Sequence, residues 1–143
     1  MDIDFIDHFA ISVKNLQTSF DWYKKVFGFD MFHQWKTTWL IQLGQMKIGL
    51  FERPQAATID DLDNKIAFQH LAFHTSADGL LAALVELQNL SIQYEGPEDT
   101  GVAYSVFLND PDGHLLELTT YHGDQKIQPT AVRAGCSRRS ETS

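Results

Sequence analysis

This sequence has little cysteine, little positive charge and no long apolar run. Its only cysteine is Cys136, which excludes an intrachain disulfide and a cysteine-rich metal site. Its 11 Lys and Arg stand against 19 Asp and Glu, a formal net charge of −8, and nucleic-acid or anionic-membrane partners need clustered cations. No apolar run approaches the ~18 residues of a membrane-spanning helix. The N-terminus, MDIDFIDHF, is acidic where a secretory signal is basic, so we expect a cytoplasmic protein.

What the sequence does contain is typical of a folded domain. Of its 143 residues, 43% are hydrophobic and 21% are charged, a globular composition. This length suffices for one ordinary domain, or for two small modules that share a core. Residues 123–143 have little apolar content and many small polar residues, so we expect a disordered tail there.

One short pattern occurs twice, 62 residues apart. DHFAISV at residues 7–13 and QHLAFHT at residues 69–75 share a histidine, a large apolar residue, an alanine and a second large apolar residue. His8 and His70 therefore occupy the same point in each half of the chain.

The first half predicts a strand, a helix and three strands. Residues 5–13 alternate as a strand does. Asn15 is suited to begin a helix and Gly28 to end it. Between them, apolar residues recur at helical spacing: Leu16, Phe20, Tyr23 and Phe27. Three further strands are predicted at about 29–35, 37–43 and 46–52.

The second half predicts the same order of elements. A strand at 68–75 leads to Ser76 as a helix cap, and Asn89 lies near the end of that helix. Strands follow at about 91–95, 102–108 and 114–121, and residues 110–113, DPDG, form the turn between the last two.

Each half is therefore a βαβββ unit, and the fold class is α+β. We expect one domain over residues 1–122, built of modules at about 5–53 and 66–121 with a polar linker at 54–65. One such unit is too small to enclose a core and a pocket. Two sheets can form a partly closed, barrel-like cleft, in which side chains of both halves converge.

The last strand offers a third chemically active side chain, Glu117. It lies within GHLLELTTY, where leucines flank a carboxylate, and burial of an unpaired charge is costly. Coordination to a metal would satisfy it. Two imidazoles and one carboxylate suit Fe²⁺, Mn²⁺, Zn²⁺, Co²⁺ or Ni²⁺ and leave positions open for a substrate or water.

Three stretches, DHFAISVKNLQTSFDWYKKVFGF, QHLAFHT and NDPDGHLLELTTY, resemble the vicinal oxygen chelate superfamily. That superfamily includes glyoxalase I, extradiol dioxygenases, fosfomycin-resistance transferases, methylmalonyl-CoA epimerase and bleomycin-binding proteins. The resemblance covers residues 5–121 and implies paired βαβββ modules with His8, His70 and Glu117 as metal ligands. It also implies a homodimer in which the second subunit completes the cleft.

The sequence departs from this family pattern at three positions. Gly49 aligns with Glu117, where glyoxalases and epimerases have a glutamate or glutamine ligand, and nearby Glu52 is predicted on the opposite strand face. Phe107 replaces the tyrosine that ring-cleaving dioxygenases have ten residues before the ligand glutamate. Ala10 replaces the threonine of fosfomycin transferases. Standard ring cleavage and fosfomycin as substrate are therefore disfavoured.

Several reactions remain open for a site that binds a small oxygenated substrate. Dioxygenase-type oxidation stands slightly ahead, because the 2-His-1-Glu set has no fourth protein ligand. The alternatives are a glyoxalase-like lyase or isomerase, a thiol transferase, or a non-catalytic protein that sequesters a drug or metabolite. His74 and Tyr104 are candidate catalytic residues. A histidine at the rim of the sheet is an equal alternative for His74, and packing in the core is the more common fate of an aromatic residue such as Tyr104.

Overall fold

The computed structural model describes residues 1–123, so the disorder expected of the tail lies outside the described residues. Contacts divide the chain into two units, Met1–Thr58 and a second that begins at Ile59. Each contains one four-stranded sheet and one main helix. The α+β class and the two βαβββ modules are confirmed, and the boundary falls within the predicted linker.

The first unit follows the predicted order closely. Its elements are β1 (Phe9–Val13), α1 (Leu16–Phe27), β2 (Asp30–Gln34), β3 (Thr38–Leu43) and β4 (Met46–Glu52). The sheet order is β1-β4-β3-β2, with β1 parallel to β4 and the other pairs antiparallel. The Asn15 side chain accepts a hydrogen bond from Thr18 N at 2.8 Å, and Gly28 ends α1 at a φ of 86°. Both predicted caps are confirmed.

The second unit repeats this topology. Its elements are β5 (Leu71–His74), α2 (Ala77–Asn89), β6 (Glu95–Asp99), β7 (Ala103–Asn109) and β8 (Leu115–Tyr121). The sheet order is β5-β8-β7-β6. The predicted cap Ser76 accepts from Gly79 N at 3.0 Å. A short 3₁₀-helix, Leu62–Asn64, interrupts the predicted linker.

The prediction of a strand at 91–95 is wrong, because that segment closes the preceding helix. Leu90 N bonds to Glu86 O and Ile92 N to Leu87 O, while Ser91 adopts a left-handed φ of 56°. The strand β6 therefore starts only at Glu95. The first strand of each module also begins later than predicted, so His8 and His70 both lie just before their strands.

Strand alternation divides β8 into two sets of side chains. Leu116, Leu118 and Thr120 are nearly fully buried, and α2 packs against this strand. Leu115, Glu117 and Thr119 point to the other side. Within residues 1–123 no helix is long and apolar enough to cross a membrane.

Candidate metal centre

The second unit brings two of the three predicted metal ligands together. His70 Nε2 lies 2.9 Å from Glu117 Oε2, and their side chains are 29% and 12% exposed. The pairing of β5 with β8 explains this contact, because Ala72 is the register partner of Glu117 and His70 precedes Ala72 by two residues. A residue two positions away in an extended chain shares the same side.

Two residues of β7 hold this pair in place. Ser105 Oγ donates a hydrogen bond to Glu117 Oε1 at 2.5 Å and lies 3.3 Å from Thr119 Oγ1. Phe107, the register partner of Glu117, presents its ring edge-on to His70 with the centroids 6.0 Å apart. One carboxylate oxygen therefore faces a hydroxyl, and the other faces an imidazole.

These contacts favour the ionised form of Glu117. The hydrogen bond from His70 is the largest cause that holds the pKa of Glu117 below its ordinary value; Ser105 and Thr119 act in the same direction. Burial raises the pKa but does not prevail. The carboxylate is thus kept in the charge state that a metal ligand needs.

The geometry of the pair suits two neighbouring ligands of one metal ion. Ligand atoms at roughly 2.1 Å from an ion and about 90° apart lie about 3 Å from each other, close to the 2.9 Å between His70 and Glu117. An imidazole nitrogen and a carboxylate oxygen are both donors that Zn²⁺, Fe²⁺ and similar ions accept. Among residues 1–123, no three or more His, Cys, Asp or Glu side chains group closely enough to hold a metal.

The third predicted ligand, His8, belongs to the first unit. Its side chain is 49% exposed, and its Nδ1 lies 2.8 Å from Asp7 Oδ2. Lys47 Nζ lies 3.1 Å from the other carboxylate oxygen of Asp7. The hydrogen bond with His8, followed by the one with Lys47, lowers the pKa of Asp7.

The register of the first sheet agrees with the predicted position of Gly49. Ala10 pairs with Gly49 in β1 and β4, as Ala72 pairs with Glu117 in β5 and β8. A Cβ at Gly49 would lie 3.3 Å from the Phe51 ring, so this ring lies beside the position of the absent ligand. Glu52 Oε2 accepts from Leu16 N at 3.3 Å, at the start of α1, which makes Glu52 a helix-capping residue.

The two predicted catalytic residues lie on different faces of the second sheet. His74 pairs with Thr119, on the Glu117 face, and its exposed ring stacks on Tyr121 at 5.8 Å. Tyr104 pairs with Thr120, whose side chain points away from Glu117. Its ring lies 4.8 Å from His122. Tyr104 thus lies on the face of the sheet opposite Glu117, and its catalytic role stays a prediction that our proposal does not use.

Sequence reasoning missed two residues beside the predicted ligands. Ser105 is a hydroxyl in the otherwise apolar buried strand AYSVFLN, which is the signal that would have found it. Asp7 precedes His8 directly, and neighbours in a strand face opposite ways. Asp7 and His8 precede β1, which starts at Phe9. Strand alternation therefore does not apply to them, and their side chains can contact each other.

A family model described as the Glyoxalase/Bleomycin resistance protein/Dioxygenase superfamily matches residues 5–118. The chain belongs to this superfamily. Two curated members are 28% identical to it. Metallothiol transferase FosB of Staphylococcus epidermidis aligns over 122 residues, 84% of each chain. Virulence protein STM3117 of Salmonella typhimurium aligns over 126 residues, 85% of this chain and 87% of its own.

A solved structure of the superfamily supports the fold. The glyoxalase family protein from Enterococcus faecalis has a TM-score of 0.74 and 23% sequence identity to this chain. The match covers 84% of this chain and 100% of that one. At this identity the likeness concerns the fold alone.

Proposed function

We propose that this superfamily member is a metal-dependent enzyme that transfers a thiol to a small oxygenated substrate. In the proposed enzyme, one divalent ion is bound by His8, His70 and Glu117. The ion is Fe²⁺, Mn²⁺, Zn²⁺, Co²⁺ or Ni²⁺. The observation that carries this proposal is the His70–Glu117 pair at 2.9 Å, which Ser105 supports. The 28% identity to a metallothiol transferase over 84% of the chain favours thiol transfer over the oxidation that the sequence put slightly ahead.

The chemistry requires an acid near the substrate oxygen and a base near the thiol. A bound ion supplies Lewis acidity toward a substrate oxygen. For an epoxide, the sulfur–carbon bond forms as the carbon–oxygen bond breaks, the thiol loses its proton, and the ring oxygen ends as a hydroxyl. His74 is our candidate to take the thiol proton, because it lies on the Glu117 face of the sheet.

Gly49 argues against the lyase and isomerase alternatives. Glycine has no side chain to act as a ligand or base where β4 matches the position of Glu117 in β8. The structure offers no substitute from Glu52, whose carboxylate accepts from the backbone of α1. Proton abstraction of the glyoxalase type therefore has no evident base on this strand.

The charge of residues 59–123 favours a neutral or cationic substrate. Lys65 is the only Lys or Arg in the sequence from 59 to 123. Glu95 and Glu98 pair with Phe107 and Ser105, the two β7 residues that contact the His70–Glu117 pair. Such a surface repels anions. A phosphonate such as fosfomycin is disfavoured, as Ala10 in place of the threonine of fosfomycin transferases already indicates.

The test is thiol transfer by protein reconstituted separately with each of the five metals. L-cysteine is supplied with glycidol, a neutral epoxide, or with fosfomycin, and the adducts are measured by mass spectrometry. We expect a metal-dependent glycidol adduct that Glu117→Gln abolishes, and no fosfomycin adduct. Glu86→Gln, on the exposed surface of α2, is the matched control and should retain activity. No adduct above the protein-free rate with any metal would overturn thiol transfer.

We also propose that the chain forms a homodimer whose subunits complete each other's cleft. Large apolar side chains are exposed just before the first strand of each module: Phe5, Ile6, Ile66 and Phe68. Exposed apolar groups in clusters mark interaction surfaces. A second copy of the chain is the partner that the superfamily resemblance implies.

A further inference from the structure

Asp7 joins His8 to a lysine on a neighbouring strand. Its Oδ2 lies 2.8 Å from His8 Nδ1, and its Oδ1 lies 3.1 Å from Lys47 Nζ. The Lys47 side chain is only 17% exposed, and its Nζ also lies over the Phe32 ring, 5.8 Å from the centroid. We propose that Asp7 is a positioning residue, which fixes the ring and tautomer of His8 and leaves Nε2 as the nitrogen available to a metal. This inference rests on the proposed metal centre.

The tautomer follows from the chemistry of the contact. An ionised carboxylate only accepts hydrogen bonds, so the neutral His8 ring must carry its proton on Nδ1. The lone pair then lies on Nε2, which becomes the nitrogen available to a metal. Carboxylates that accept from the remote nitrogen of a ligand histidine are a common support of metal sites.

The two modules hold their histidines in different ways. In the second module, Glu117 contacts Nε2 of His70. In the first, Gly49 occupies the position of Glu117, so β4 supplies no carboxylate to His8. Asp7 supplies one from the adjacent position and directs it to Nδ1 instead.

The residue before His70 has a different task. Gln69 donates through Nε2 to the carbonyl oxygens of Ala67 at 3.3 Å and Leu62 at 3.5 Å. Gln69 therefore stabilises the linker before β5. Only the first module has a carboxylate residue directly before its histidine.

Lys47 fixes the orientation of Asp7. Lys47 lies in β4, next to Ile48, which pairs with Phe9 at the start of β1. The ammonium group of Lys47, held by β4, thus binds one carboxylate oxygen of Asp7. The other oxygen of Asp7 then points to His8. Without Lys47, the half-exposed Asp7 side chain would rotate among its rotamers.

The first test reads the tautomer of His8 in metal-free protein. Long-range ¹H–¹⁵N spectra of histidine-labelled protein are recorded at about pH 8, above the ordinary histidine pKa of about 6.5, and His8→Ala assigns the His8 signals. We expect the Nδ1–H form in the wild type and a shift toward Nε2–H in Asp7→Ala. Asp4→Ala removes the same charge from the same exposed segment and should leave the spectrum unchanged.

The second test measures Zn²⁺ affinity by competition with a chelating dye. Asp7→Ala should weaken binding about 10- to 100-fold, as loss of such a support does, and Asp4→Ala by no more than about twofold. The Lys47→Met variant distinguishes a positioning role of Asp7 from a purely electrostatic effect of its charge on Zn²⁺ affinity. Removal of a cation near the site would tighten Zn²⁺ binding by Coulomb's law, whereas loss of the anchor of Asp7 should weaken it.

The outcomes distinguish this inference from the proposed function. An unchanged His8 tautomer in Asp7→Ala, or tighter Zn²⁺ binding by Lys47→Met, would overturn the positioning role while the metal centre stands. If the wild type binds none of the five metals, the metal centre fails. The tautomer measurement then still decides whether Asp7 holds His8.

Discussion

At the scale of single residues, Glu117 shows how a largely buried carboxylate is kept charged. A carboxylate that leaves water loses hydration, and the loss is offset only by hydrogen bonds or opposite charge. Here Ser105 satisfies one oxygen and His70 the other. In the metal-free protein, the hydrogen bond from His70 therefore satisfies the oxygen that we propose as a metal ligand.

Titration of Glu117 in metal-free protein should reflect these two contacts. We expect a pKa below the ordinary 4.5, measured by ¹³C NMR of the carboxyl carbon. His70→Ala should raise the pKa more than Ser105→Ala, because the His70 hydrogen bond is the largest cause of the shift. Since the folded pKa is depressed, the associated stability is full above pH 4.5 and is lost as pH falls through the lowered pKa. A larger effect of Ser105→Ala would contradict this account.

The sequence reveals some of these residues and conceals others for a physical reason. His8 and His70 stand out because the repeat marks them, and Glu117 because a charge among leucines needs a partner. The face on which Tyr104 lies was not predictable, because strand alternation gives two faces but does not say which one carries Glu117. Only the pairing of Phe107 with Glu117 fixes that choice, and it depends on contacts distant in sequence.

At the scale of elements, the helix ends are well determined by local chemistry. Asn15 and Ser76 each accept from a backbone N–H in the first helical turn, and those N–H groups otherwise lack a partner. Local signals of this kind are visible in sequence, which is why both helices begin where predicted.

Removal of either cap should destabilise the fold by a measurable amount. Asn15→Ala and Ser76→Ala should each lower the free energy of unfolding by about 1 kcal/mol, as measured by urea denaturation. Thr18→Ala is the control, since it keeps the backbone N–H that Asn15 accepts from and should change stability by less than about 0.5 kcal/mol. Equal effects of Asn15→Ala and Thr18→Ala would show that the cap contributes nothing.

The segment after α2 shows where local signals fail. Residues 91–95 alternate like a strand, yet Ile92 bonds to the helix and the side chain of Tyr94 is buried, with its hydroxyl accepting from Gln88 Nε2 at 2.9 Å. The residues that terminate α2 are thus among those that the alternating sequence pattern assigns to a strand. The order of elements was predictable, whereas this boundary depends on tertiary packing.

At the scale of the whole molecule, the repeated pattern places one histidine just before the first strand of each module, His8 and His70. The two modules share topology and register, and the metal centre that we propose would take His8 from the first module and His70 and Glu117 from the second. The proposed homodimer would combine a His8 from one chain with the pair from the other. The chain should then sediment at about twice its mass of 16.3 kDa, and a monomer at micromolar concentration would contradict the dimer.

Mixed dimers test whether the ligands cross between subunits. His8→Ala and Glu117→Ala chains, each unable to bind metal alone, are co-expressed with different tags and purified as heterodimers. If ligands come from both subunits, one of the two sites regains all three ligands, and metal binding returns at about half an equivalent per chain. If each site lies within one chain, both remain broken and no metal returns.

The most direct test of the central claim is the metal content of protein purified without added metal, followed by reconstitution with each of the five ions. We predict about one equivalent per chain in the wild type, retained in Glu86→Gln and lost in both His8→Ala and Glu117→Gln. No metal in the wild type even after reconstitution, or full occupancy in the two site variants, would contradict the proposed centre and leave a ligand-sequestering protein as the better account.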